Sequence, residues 1–133
     1  FTRSNTSRLL RYLVGGFKAK LPEFHSKEWG YEQWIANNDN YCGKLLRFVS
    51  GKSCSWHYHK LKHETFYIQE GTLDVTFGFT DDIKAAASKA LYPGDIFEVP
   101  PGLRHRMTAM GGDCVMFEFS TTHFETDSYR INI

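Results

Sequence analysis

From Tyr41 onward, apolar residues come in short runs rich in Val, Ile, Phe, Tyr and Thr, broken by glycine at positions 51, 71, 78, 94, 102 and 111–112. Runs this short, closed by turn residues, predict strands at the spacing of a β-sandwich or barrel. The pattern places strands near 43–50, 54–59, 64–70, 72–79, 88–92, 95–99, 104–109, 113–120 and 128–132. Asp81 to Ala90 interrupts it with an Ala85-Ala86-Ala87 centre that suits either a helical turn or a loop. Near the start, Thr2 to Tyr12 opens with Ser and Thr and spaces Leu9, Leu10 and Leu13 as a helix does, until Gly15-Gly16 ends it. The expected organisation is a single all-β domain over 29–133, preceded by an N-terminal segment, 1–28, that is helical or extended.

Composition narrows the class. A chain of 133 residues, 41% of them hydrophobic, buries roughly 65–70% of its unfolded surface, enough for one core without disulfides. Lys and Arg number 16 against 15 Asp and Glu. The signs are interspersed, which argues against nucleic acid as a partner, since phosphate neutralisation needs a basic excess. No apolar run approaches the ~20 residues of a membrane span, and no secretory signal is visible. Cys42, Cys54 and Cys114 form an odd set without a C-x-x-C pair, which predicts reduced thiols in a cytoplasmic setting. The chain starts at Phe1 without Met, which leaves room for an upstream segment or domain.

The informative stretch is GKSCSWHYHKLKHETFYIQEG, from Gly51 to Gly71. His57 and His59 are two apart, so on a strand both imidazoles face one side and can reach one ion. Glu64 opens the next β run, where a hairpin would bring its carboxylate beside them. A second stretch, GDIFEVPPGLRH from Gly94, ends on His105 after a Pro-Pro-Gly turn. Three imidazoles and one carboxylate suit one divalent ion, Zn, Mn, Fe, Co or Ni, with positions left for water or substrate. His63 has the opposite strand parity to Glu64 and is expected to face away, and His123 falls on a loop or surface. Lys60 and Lys62 follow the His pair, where long stems lie along a barrel rim.

These two stretches resemble the paired motifs of the cupin superfamily. Gly51, five residues, His57-x-His59, four residues, Glu64, six residues, Gly71 matches the first at every fixed position. Gly94, five residues, Pro100-x-Gly102, two residues, His105 matches the second, with Ala109 where Asn is usual. The resemblance implies a small jelly-roll barrel, a double-stranded β-helix, in which His57, His59, Glu64 and His105 bind one metal. Further out, Trp29-Gly30-Tyr31-Glu32-x-Trp34, Lys44-Leu45-Leu46 and the tail Phe117-Glu118-Phe119-Ser120 through Glu125 to Ile131 are similar to the cupin domain of type II phosphomannose isomerases. That family's Gln-x-Gly after the Glu reads Ser120-Thr121-Thr122 here, and its closing Asp-x-Tyr-Gly-Arg is absent.

The resemblance implies a metal-dependent isomerase or epimerase of a sugar or sugar phosphate. Isomerisation through an enediol needs a Lewis acid on the oxygens and a base beside the carbon-bound proton. Glu118 is the candidate base, although strand alternation admits either Glu118 or the pair Phe117 and Phe119 on the inner face. Glu98 carries the same ambiguity. Arg130 matches the family's terminal Arg as a catalytic-site cation, and Lys44 and Arg104 are candidate substrate-binding groups. The same ligands would equally serve a non-haem Fe(II) dioxygenase or a non-catalytic small-molecule-binding cupin. Strand edges and many aromatics predict a homodimer.

Overall fold

A computed structural model of the chain describes residues 19–133, and the helix expected between Thr2 and Tyr12 lies outside them. Nine strands form one curled sheet: β1 (Glu23–Lys27), β2 (Gly30–Asn37), β3 (Cys42–Phe48), β4 (His57–Tyr58), β5 (Glu64–Gly78), β6 (Ala87–Leu91), β7 (Ile96–Val99), β8 (Arg104–Ser120) and β9 (Tyr129–Arg130). No α-helix occurs among the described residues, and no helix is long and apolar enough to cross a membrane.

Strand β8 is the axis. It pairs antiparallel with β5 from Arg104 to Ser120 and with β3 from Cys114 to Ser120. Beyond β3 the sheet continues through β2 to β1. Strands β6 and β7 line the far edge of β5. The short β4 joins the start of β8, His57 opposite His105, and carries β9 on its other side.

Alternation sends every second residue of β3, β5 and β8 inward. Leu46, Met116 and Ile68 form one inward row across the three strands, and Phe48, Cys114, Leu73, Val75 and Met107 continue the same apolar core. Each such large side chain taken fully out of water contributes ~1.5–3 kcal/mol. The next row is Lys44, Glu118 and Phe66, followed by Glu64. The inner face thus changes from apolar to charged along the barrel, and that change sets the position of the site.

Two expected strand pairs are single long strands. Positions 64–70 and 72–79 merge into β5, and 104–109 and 113–120 merge into β8. The glycines between them bend the strands instead of ending them: the register of β5 shifts around Glu70, beside Gly71. Gly71 has φ of 78°, and a Cβ there would sit 2.2 Å from the Asp113 carbonyl oxygen, so no side chain fits. The stretch after Asp81 resolves into a 3-10 turn, Ile83–Ala85, running directly into β6. Strands β1 and β2 were not legible as strands, because their mostly half-open, mixed-polarity residues lack clean alternation. The sheet therefore begins at Glu23, within the segment expected to precede the domain.

Candidate metal centre

Strand β4 is two residues long, yet its extended backbone turns His57 and His59 inward and Tyr58 outward. On the outer side Arg104 lies 3.7 Å over the Tyr58 ring, Tyr58 stacks on Tyr129 at 5.2 Å, and Lys60 lies 4.5 Å over Tyr129. This ladder ties β4 to β9 from outside. Gly102, at φ of 87°, donates its N–H to the His59 carbonyl at 2.7 Å and fixes the other end.

Inside, His57, His59 and His105 each offer a ring nitrogen, all within 4.8 Å of one another. The Nδ1 atoms are held by backbone carbonyls: His57 on Ser55 at 2.8 Å, His59 on Asp127 at 2.7 Å and His105 on Leu103 at 2.9 Å. A carbonyl only accepts, so each Nδ1 carries the proton and each Nε2 presents a bare lone pair. Glu64 Oε2 lies 3.3 Å from His105 Nε2 and 3.6 Å from His59 Nε2. Glu64 Oε2 and His105 Nε2 are both buried without a hydrogen-bond partner. Leaving such an atom unpaired costs ~1–3 kcal/mol, and two facing lone pairs repel unless a cation sits between them. Three imidazole nitrogens with a carboxylate oxygen are donors suited to a first-row divalent ion, so the residues present fit one.

Electrostatics agree with this donor state. Burial, reinforced by the neighbouring imidazoles, pushes His57 down to about 3. His59 is lowered for the same first reason. Burial opposes the Glu64 charge, but the Lys62 ammonium at 3.3 Å favours it, and the carboxyl lies well below the usual range. All of these groups are in the form that can bind a cation. Protein stripped of metal by chelation is expected to lose stability as pH falls from 6.5, the ordinary histidine value, toward 3. In that window the unfolded chain takes up protons that folded His57, His59 and His123 refuse. Glu118, raised by burial, works in the opposite sense above 4.5, and Glu64 adds to the loss below it. Chemical denaturation of apo-protein at several pH values measures the sum.

Lys62, expected along the rim, is instead 2% exposed. Its Nζ sits 3.3 Å from Glu64 Oε1 and 3.0 Å from Glu118 Oε2, and these two carboxylates push its pKa up against its burial. The cause is Asp127, whose buried carboxylate accepts from the backbone N–H groups of Lys60, Leu61 and Lys62 at 2.9–3.2 Å. That curls the loop inward. Lys62→Met is expected to cost ~3–5 kcal/mol in denaturant unfolding, the range for removing one partner of a buried ion pair, because Glu64 and Glu118 would then face each other uncompensated.

The imidazoles open into a cavity of about 930 Å³. Glu118 faces it and is buried, whereas Phe119 is 56% exposed on the outer face. Burial and the Glu64 charge raise the Glu118 carboxyl above its usual range. Lys44 lines the same wall, 3.5 Å from Glu32. Arg130, opposite His57 on β9, is exposed at the mouth. Arg104 is elsewhere: its guanidinium reaches Asp81 at 2.8 Å on the outer side and does not line the cavity. Glu98 also points out and meets His63 at 2.8 Å. His123, expected on a loop or surface, reaches the cavity wall edge-on to Trp34, and burial with the Lys62 and Lys44 charges pushes it down to about 3. Lys62, Asp127, Glu32, Trp34 and His123 are the residues that sequence reasoning did not assign to the site. For Lys62 a signal existed, since it shares strand parity with Glu64.

Converging imidazoles and a carboxylate on the inner wall of an open barrel define a β-barrel whose interior is placed to hold a metal ion. The chain belongs to the cupin domain family, which matches residues 44–120. Among solved structures it is similar to CapF of Staphylococcus aureus, a capsular polysaccharide assembling protein, with a TM-score of 0.76 and 17% identity. That match covers 92% of this chain but 37% of CapF. KdgF from Halomonas sp. matches with a TM-score of 0.66 and 16% identity over 78% of this chain and 91% of its own. Oxalate decarboxylase of Lactobacillus farciminis, in a formate complex, matches with a TM-score of 0.71 and 16% identity over 87% of this chain and 37% of its own. At these identities the likeness is one of fold. No curated protein matches the chain in sequence.

Proposed function

We propose that the chain is a metal-dependent isomerase or epimerase of a sugar or sugar phosphate, akin to the cupin domain of the phosphomannose isomerases. One observation carries this reading: Glu118, a buried carboxyl with raised pKa, is separated from the metal-ligand candidate Glu64 only by the Lys62 ammonium, within a cavity of about 930 Å³. That volume suits a sugar and far exceeds what a two-carbon acid such as oxalate fills. Polysaccharide assembly by the structurally similar CapF points the same way.

A divalent ion on His57, His59, His105 and Glu64 would polarise a substrate's carbonyl and hydroxyl oxygens. The protein's own part is proton movement and orientation. Glu118 receives Lys62 and Ser120 both on Oε2, at 3.0 Å each. Its Oε1 takes no bond from a described residue and is the oxygen to accept a carbon-bound proton. A carboxyl raised toward neutral pH is a better general base than one at its ordinary value. The test is a panel of aldoses and aldose phosphates with Mn- or Zn-loaded protein under nitrogen in deuterated water. Deuterium entering the product at the carbon next to the carbonyl supports the reading. Turnover only with Fe(II) and oxygen uptake would make the protein a dioxygenase, and binding without turnover a carrier.

Arg130 tests the charged end of the substrate. Asp127 spends its carboxylate on the 60–62 amides, so it is not the partner of Arg130. A guanidinium at the mouth can grip a phosphate through two parallel bonds. Arg130→Ala is expected to cost ~1.5–3 kcal/mol of binding on phosphorylated substrates and little on free sugars, and Arg130→Lys to restore part of it. Efficiencies on one substrate of each kind check this.

A further inference from the structure

The cavity wall beyond Glu118 carries polar groups with no part in holding an ion or moving a proton. Across the sheet, Trp34 on β2, Lys44 on β3 and Glu118 on β8 stand in register, and Glu32 lies two residues from Trp34 on the same strand. Glu32 Oε1 accepts from Trp34 Nε1 at 2.8 Å and lies 3.5 Å from Lys44 Nζ. Glu32 Oε2 receives no hydrogen bond from a described residue. Lys44 is 3% exposed, and its ammonium, with three N–H groups, makes that single long contact and lies 4.4 Å over the Trp34 ring. The other face of Trp34 is covered by His25, stacked at 4.0 Å. Trp34 is therefore a strut that aims the carboxylate, not a platform for a ligand to stack on.

Resting on the reading of this cavity as a sugar site, we propose that Glu32 and Lys44 form a hydroxyl-recognition subsite that takes the uncharged, polyhydroxylated end of the substrate. A vicinal diol can donate to the free Glu32 oxygen and accept from an unspent Lys44 N–H. Two strand spacings, ~9.5 Å, separate β8 from β2, about the reach of an extended five- or six-carbon polyol with its terminal hydroxyls. An anion fits this wall poorly. Each buried ammonium already has a carboxylate within 3.5 Å: Lys44 has Glu32, and Lys62 has Glu64 and Glu118. A phosphoryl group set there would meet the negative partners as closely as the positive ones. A charged end of the substrate belongs at the mouth, by Arg130.

Four alditols, xylitol, arabitol, sorbitol and mannitol, probe the subsite without undergoing reaction. Binding to the full chain loaded with zinc is followed by saturation-transfer NMR, with inorganic phosphate as competitor. The expected result is that at least one alditol binds, that equimolar phosphate does not displace it, and that E32Q/K44Q weakens it at least tenfold at unchanged zinc content. The double variant removes both charges, so neither is left buried alone; E32Q alone serves if the double variant does not fold, because the Glu118 carboxylate in register on β8 remains to face Lys44. Failure of all four alditols to bind, equal affinity in the variant, or displacement by phosphate overturns the proposal. Deuterium exchange on aldoses separates it from the reaction assigned above. Alditol affinity lost in the variant with no exchange on any aldose keeps the subsite and rejects the isomerase. Exchange alongside alditol binding indifferent to Glu32 and Lys44 does the reverse.

Discussion

Glu118→Gln is expected to retain its metal and its fold and to lose ~10²–10⁴-fold in turnover, the usual size of a general-base contribution. Gln keeps the shape and an acceptor oxygen for Lys62 and Ser120, so the wall that Glu118 shares with Lys44 is preserved. What it removes is the basic oxygen. Lys62 still has Glu64 at 3.3 Å as its counter-charge, so the substitution does not strand an unpaired ammonium. Wash-in of solvent deuterium should fall in parallel with turnover. Full activity in the variant would assign Glu118 to structure and leave the proton without a carrier.

His59→Ala should abolish metal binding, with elemental analysis falling from about one ion per chain to near zero. His59 is held at 2.7 Å on the Asp127 carbonyl, so its ring is aimed before any ion arrives. The apolar core of Leu46, Phe48, Ile68, Met116 and their neighbours does not include His59, and the variant should therefore remain folded by circular dichroism. His57→Ala should behave alike. His123→Ala, on the cavity wall but outside the imidazole cluster, should keep its ion. In the wild type, metal should stay bound as pH falls below 6.5, the ordinary histidine value, and leave as pH approaches about 3, where the buried His57 imidazole takes up a proton and ceases to ligate. A His59→Ala protein that still holds one ion would remove β4 from the metal centre.

Spacing made the imidazole cluster legible because strand parity is a local rule. Two residues apart means one face, and His57 with His59 needed only an extended backbone. Parity also bore on Arg104: adjacent to His105, it points to the opposite side and ends on Asp81. Glu118 was undecidable because Phe117 and Phe119 alternate with it, and either set fills a barrel. What settles the question is the row it joins, with Lys44 and Lys62 inside to meet its charge. Lys62 was misassigned because a lysine after a hairpin is ordinarily solvated, and the Asp127 carboxylate that draws its loop inward lies 65 residues away. Glu32 and Trp34 escaped for a similar reason. They sit on β2, whose side chains are half-buried on both faces, so no alternation marks the inner one. Long-range pairing, not local pattern, supplies that information.

Crystals of the zinc- or manganese-loaded protein, with anomalous scattering collected on either side of the metal's absorption edge, test the central claim most directly. One anomalous peak per chain is predicted, within bonding distance of Nε2 of His57, His59 and His105 and of a Glu64 oxygen. No peak among those four side chains, in protein exposed to saturating metal, would contradict the account.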